Sequence, residues 1–70
     1  MLKIHWLKNR QVVRAIDAKW TINIIEIARH ADELQAQYAA EDWEIVNESD
    51  VQVFTKTRWR ELSQLSFRTV

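Results

Sequence analysis

There is no glycine and no proline anywhere in these 70 residues. At ordinary usage of about 7% Gly and 5% Pro, chance would leave a chain of this length without both on the order of once in ten thousand. Glycine supplies the positive φ of tight turns and proline stops helices. Every turn here must therefore be built from Asn, Asp, Ser, Lys or Arg, in type I geometry or with an Asn in the left-handed region. Two origins fit this pattern: a mostly helical chain has little need of either residue, and a designed or selected chain avoids them. Routine design would fill exposed positions with Glu and Lys, and four tryptophans in one short chain run against that habit. Composition is thus compatible with a natural and with an artificial, de novo sequence.

The length suits one domain spanning 1–70, and 47% hydrophobic with 29% charged residues is a globular balance rather than a disordered one. The absence of cysteine removes disulfides, thiolate metal sites and Cys nucleophiles. No apolar run approaches the roughly 18 residues that cross a bilayer, and the start MLKIHW lacks the apolar core of a signal peptide. The expectation is a soluble, cytoplasmic protein with no targeting signal and no membrane partner. A core this small rarely yields more than about 3–5 kcal/mol without a staple. Self-association is the remaining common device, and a formal net charge of zero permits it.

Periodicity places a central helix from about Thr21 to Ala40, because Trp20, Ile24, Ile27, Ala31, Leu34 and Tyr38 recur at alternating spacings of three and four. Thr21 is its expected N-cap. Ile22 and Ile25 fall on the other side, and Ala36, Ala39 and Ala40 extend that side with small groups, so a second apolar face awaits a partner. Before the helix, Leu2, Ile4 and Trp6 alternate with polar residues, Lys8–Gln11 interrupts, and Val12–Ile16 resumes, which reads as a β-hairpin. After it, Trp43–Val46, the polar Asn47–Asp50 and Val51–Thr57 read as a second hairpin with a four-residue loop. Trp59, Leu62 and Leu65 then predict a short terminal helix that frays at Arg68–Val70. The predicted class is α+β: hairpin, central helix, hairpin, short helix. The alternative is an all-α bundle, in which Val12, Val13 and Ile16 extend the helical stripe backwards from Trp20.

Chemistry-bearing residues are sparse. His5 and His30 are the only histidines, Ser49, Ser63 and Ser66 lack a nucleophile elbow, and no glycine-rich phosphate loop can exist. Glu26, His30 and Glu33 share one side of the helix, a spacing that a divalent ion could use and that solvated helix charges explain equally well. A helix-turn-helix over Ile27–Ala31 would put Asp32 at its glycine position and the charged Glu33 in its apolar one, a poor fit. No catalytic residues, cofactor, metal or small-molecule substrate are assigned, and the chain is expected not to be an enzyme.

Charge is unevenly laid along the chain. Residues 1–20 carry five basic side chains and one acidic, residues 21–50 one basic and eight acidic, and residues 51–70 four basic and one acidic. Two readings follow. The preferred one is a non-catalytic, self-associating interaction or structural module, a homodimer whose basic segments meet acidic ones within the fold or across the dimer and whose interface uses Ile22, Ile25, Ala36, Ala39 and Ala40. The alternative is a nucleic-acid binder in which Lys3, His5, Phe54, Lys56 and Arg58 share the outer face of a sheet, joined by Trp59 and Arg60. Trp6, Trp20 and Trp43 are assigned to the core.

Overall fold

In a computed structural model the chain is an α+β fold in which two helices pack on a four-stranded antiparallel sheet. The structure describes residues 1–68, and side chains as far as Gln64; Leu65 is helical as expected, Arg68, expected to fray, is still helical, and the packing of the Leu65 side chain and the end of the chain at Thr69–Val70 lie outside the described residues. The elements run β1 (Lys3–Lys8), β2 (Gln11–Asp17), α1 (Ile24–Leu34), β3 (Asp42–Val46), β4 (Gln52–Thr55) and α2 (Lys56–Arg68), with the strands ordered β2-β1-β3-β4 across the sheet. The all-α alternative is set aside. Leu2, Ile4 and Trp6 alternate with polar residues, the period-two pattern of a strand with one covered face, and that pattern prevails over the weaker helical reading of Val12–Ile16.

Both hairpins close without glycine. Lys8 pairs with Gln11, and the two residues between them, Asn9 and Arg10, have φ of 53° and 64°. This is the doubly left-handed arrangement that the right-handed twist of a two-residue hairpin prefers. The expectation that only an Asn would enter the left-handed region is therefore corrected, since Arg10 does so as well. In the second hairpin Asn47 Oδ1 accepts from the amides of Ser49 and Val51 at 2.9 and 3.1 Å, an Asx device that closes the predicted loop with Asp50 at φ 61°.

Inward-facing residues of the central strands form the core. Ile4 pairs with Ile45 and Trp6 with Trp43, and all four are buried against Ile27, Ala28 and Ala31 of α1. Buried indoles need a partner for their N–H. Trp6 Nε1 donates to the Ala31 carbonyl at 2.9 Å and Trp43 Nε1 to Asp32 Oδ1 at 3.2 Å, so two strands grip consecutive residues of the same helix. Tyr38 stands edge-on to Trp6 at 4.8 Å, with the Arg14 guanidinium over its ring at 5.1 Å.

The central helix is shorter than its sequence stripe at both ends. Its N-cap is Asn23, not Thr21: Asn23 Oδ1 accepts from the Ile25 and Glu26 amides, while Thr21 Oγ1 accepts from Asn23 itself. Residues 18–23 thus form a connection in which Trp20 is half-exposed, outside the core to which its spacing assigned it. At the other end the helix gives way after Leu34 to a turn. The Ala40 amide donates to the Gln35 carbonyl and the Ala39 amide to Ala36, with Ala39 at φ 54°. That is a Schellman closure with alanine where glycine usually sits.

The last strand ends early and the last helix starts early. Thr55 Oγ1 accepts from the Arg58 amide at 3.1 Å, a capping contact that turns the chain into α2 at Lys56. Lys56 and Thr57, predicted as strand, are helical. Trp59 and Leu62 are half-buried, with Trp59 packed against the core.

Candidate functional site

The sheet has one face covered by the helices and one open. Lys3, His5 and Leu7 of β1 alternate with the buried Ile4 and Trp6, and their partners across the sheet are Asp17, Ala15 and Val12 on β2 and Val46, Glu44 and Asp42 on β3. His5 Nδ1 lies 3.4 Å from Glu44 Oε2, and Gln52 Nε2 donates to the other Glu44 oxygen at 2.8 Å. Lys3 faces Asp50 at 3.9 Å, and the N-terminal ammonium contacts Glu48, holding that exposed carboxyl below its usual range. The basic start of the chain therefore meets the acidic loop within one fold. This is the physical role that the uneven charge plays in the observed contacts.

The residues of the nucleic-acid alternative do not share one surface. Lys3 and His5 lie on the open face, intermixed with Asp17, Asp42 and Glu44. Phe54, opposite Ile45, faces the core and stacks on Trp43 at 6.5 Å. Lys56, Arg58, Trp59 and Arg60 belong to α2 rather than to the sheet. Arg58 reaches Glu61 at 3.4 Å, and the two aromatic rings offered for base stacking are packed against the core. The expected basic and aromatic face is thus corrected to a mixed-charge face and a separate basic helix.

The self-association set also divides. Ile22 lies in the connection just before α1 and Ile25 in its first turn, whereas Ala36 and Ala39 belong to the turn after it, and Ala40 is half-buried against the core. Exposed apolar side chains occur in two places, Val12, Val13, Val51 and Val53 at the edge strands and Met1, Trp20, Ile22 and Ile25 at the chain start and the entry to α1, where the most exposed of them lies. Ile22 is 95% exposed, Met1 55%, Trp20 50% and Ile25 38%. Met1, Leu2, Ala18 and Ile22 line a shallow open depression of about 450 Å³, with Lys19 and Thr21 at its polar side. Trp20 leans edge-on against His30 at 5.0 Å, which holds the indole against α1 while leaving half of it in solvent.

Sequence reasoning missed Met1 and Trp20 as members of this corner. The available signal was Asn23 followed three residues later by Glu26 and preceded by Thr21, a start pattern that places Trp20 and Ile22 before the helix. Among the described residues no group of three or more His, Asp or Glu could hold a metal ion, so Glu26, His30 and Glu33 do not converge. Among them, too, no helix is long and apolar enough to cross a membrane. No protein-family model, curated protein or solved structure matches this chain.

Proposed function

We propose that this chain is a non-catalytic interaction module whose primary activity is self-association, through the apolar corner formed by Met1, Trp20, Ile22 and Ile25. The observation that carries the reading is Ile22, an isoleucine with 95% of its surface in solvent that lines one depression with the half-exposed Met1 and with Leu2. Scattered apolar residues need no explanation, but an apolar depression with a fully exposed isoleucine at its rim does. A second copy is the occupant that the chain always has at hand, and a two-fold pairing sets Ile22 of each protomer into the depression beside Ala18 of the other. The absence of any disulfide and the small core supply the energetic motive.

The placement of titratable groups favours binding over catalysis. His5 is engaged with Glu44 on the open face and His30 rests against Trp20, so the two histidines serve different surfaces. Sedimentation equilibrium from micromolar to high micromolar concentration tests the proposal. The expected result is a dimer that Ile22→Glu converts to a monomer of unchanged circular dichroism, while Ala36→Glu leaves the mass alone. A wild-type monomer throughout that range overturns it.

A further inference from the structure

A second surface lies apart from the apolar corner, where the β1–β2 turn approaches the start of α2. An open groove of about 740 Å³ runs between them, lined by Asn9, Arg10, Glu41, Asp42, Lys56 and Arg60. Its volume falls within the range of small-molecule sites. The three cations come from two separate elements, Arg10 from the turn, and Lys56 and Arg60 from one side of α2 four residues apart. Lys56 Nζ is held at the wall by the Glu41 carbonyl at 3.1 Å. Among the described residues neither Arg10 nor Arg60 has an ion-pair partner.

The two carboxylates of the groove are each tied to a backbone amide. Glu41 Oε1 accepts from Asn9 at 3.2 Å and Asp42 Oδ1 from Trp43 at 2.8 Å. Each keeps an oxygen for another donor. Three cations against two anchored carboxylates leave one positive charge, so the groove suits a ligand with an anionic head and hydrogen-bond donors behind it. Guanidinium pairs match the oxygens of a phosphate bidentately, and carboxylates accept from hydroxyls. We infer that this groove binds a small phosphomonoester bearing hydroxyl groups, with its phosphate against Arg10, Lys56 and Arg60 and its hydroxyls toward Glu41 and Asp42. The site is independent of the self-association reading, because none of its residues belongs to the apolar corner.

The test titrates the full chain with ribose 5-phosphate, inorganic phosphate and ribose in turn, following the backbone amides by nitrogen-correlated NMR at constant ionic strength. The expected result is saturable movement of Asn9, Arg10, Glu41 and Thr57 with ribose 5-phosphate, a weaker response to inorganic phosphate and none to ribose. Arg10→Gly should weaken the binding at least tenfold. Glycine is at ease at the positive φ of this position, so the loss would not reflect a damaged fold. Arg29→Ala, a cation on α1 that does not line the groove, should leave the binding unchanged. Diffuse, non-saturating shifts across all basic residues, or full binding by Arg10→Gly, would overturn the site. Equal affinity for ribose 5-phosphate and inorganic phosphate would overturn the assignment of the carboxylates to ligand hydroxyls.

Discussion

Asn9, Arg10, Ala39 and Asp50 all sit in the left-handed region, each at a place where the chain must reverse or stop a helix. Asn and Asp tolerate that region because their short side chains bond locally, but Arg and Ala lose about 1–2 kcal/mol there through contact of Cβ with the backbone. Ala39→Gly and Arg10→Gly should therefore each raise stability, by about 1 kcal/mol after the extra freedom of glycine in the unfolded chain is subtracted. Urea denaturation reads this as a higher midpoint at unchanged slope. The sign reverses where the backbone is helical: Arg29→Gly, on an exposed face of α1, should cost about 1 kcal/mol. A destabilising Ala39→Gly would show that the Schellman closure does not persist in solution. The positive-φ sites themselves were only half legible in the sequence. Asn9 and Asp50 are types that favour such conformations, whereas nothing about Arg10 or Ala39 distinguishes them before the register of the hairpin and the end of the helix are known.

Helix α1 is held by its cap, by its buried stripe and by two indoles. Asn23→Ala removes the acceptor for two first-turn amides and should cost about 1 kcal/mol. Ile27 is fully buried, so Ile27→Ala should cost about 2–5 kcal/mol, enough to unfold much of a population this marginal. Leu34 is only half-buried, and Leu34→Ala should fall below that range. Trp6→Phe keeps most of the ring but leaves the Ala31 carbonyl without its donor, a loss of about 1–3 kcal/mol read by chemical denaturation. The main reading had all six elements, because Leu2–Trp6 alternates while Ile24–Leu34 follows the helical period, but Val12, Val13 and Ile16 also fit a helical stripe and left the type of the first two open. Boundaries were not. The stripe drew in Trp20 on spacing alone, although the Asn23 side chain ends the connection there, and the β-branched run through Thr57 hid a cap at Thr55 that a single hydroxyl sets.

The whole chain has the topology of two ββα units, β1-β2-α1 and β3-β4-α2, joined where β1 and β3 run antiparallel at the centre of the sheet. Both helices lie on one face, so each hairpin puts its second strand at an edge and the other face stays open. Interleaving a basic first unit with an acidic connection lets Lys3 and His5 find Asp50 and Glu44 inside one copy. Part of the uneven charge is thus met inside the fold. Under the proposed self-association the apolar area before and at the start of α1 drives the contact, and such burial is concentration-dependent by mass action. If the folded unit is a dimer, a tenfold rise in protein concentration stabilises it by about 1.4 kcal/mol and raises the melting temperature by roughly 5 °C for two chains of this size. Ile22→Glu should abolish that dependence. The side chain is 95% exposed and contributes little to its own protomer's core, so a charge there acts on the contact between copies. Calorimetric melts of both proteins across two decades of concentration, with a constant wild-type midpoint as the contrary result, would decide whether this corner faces a second chain or water.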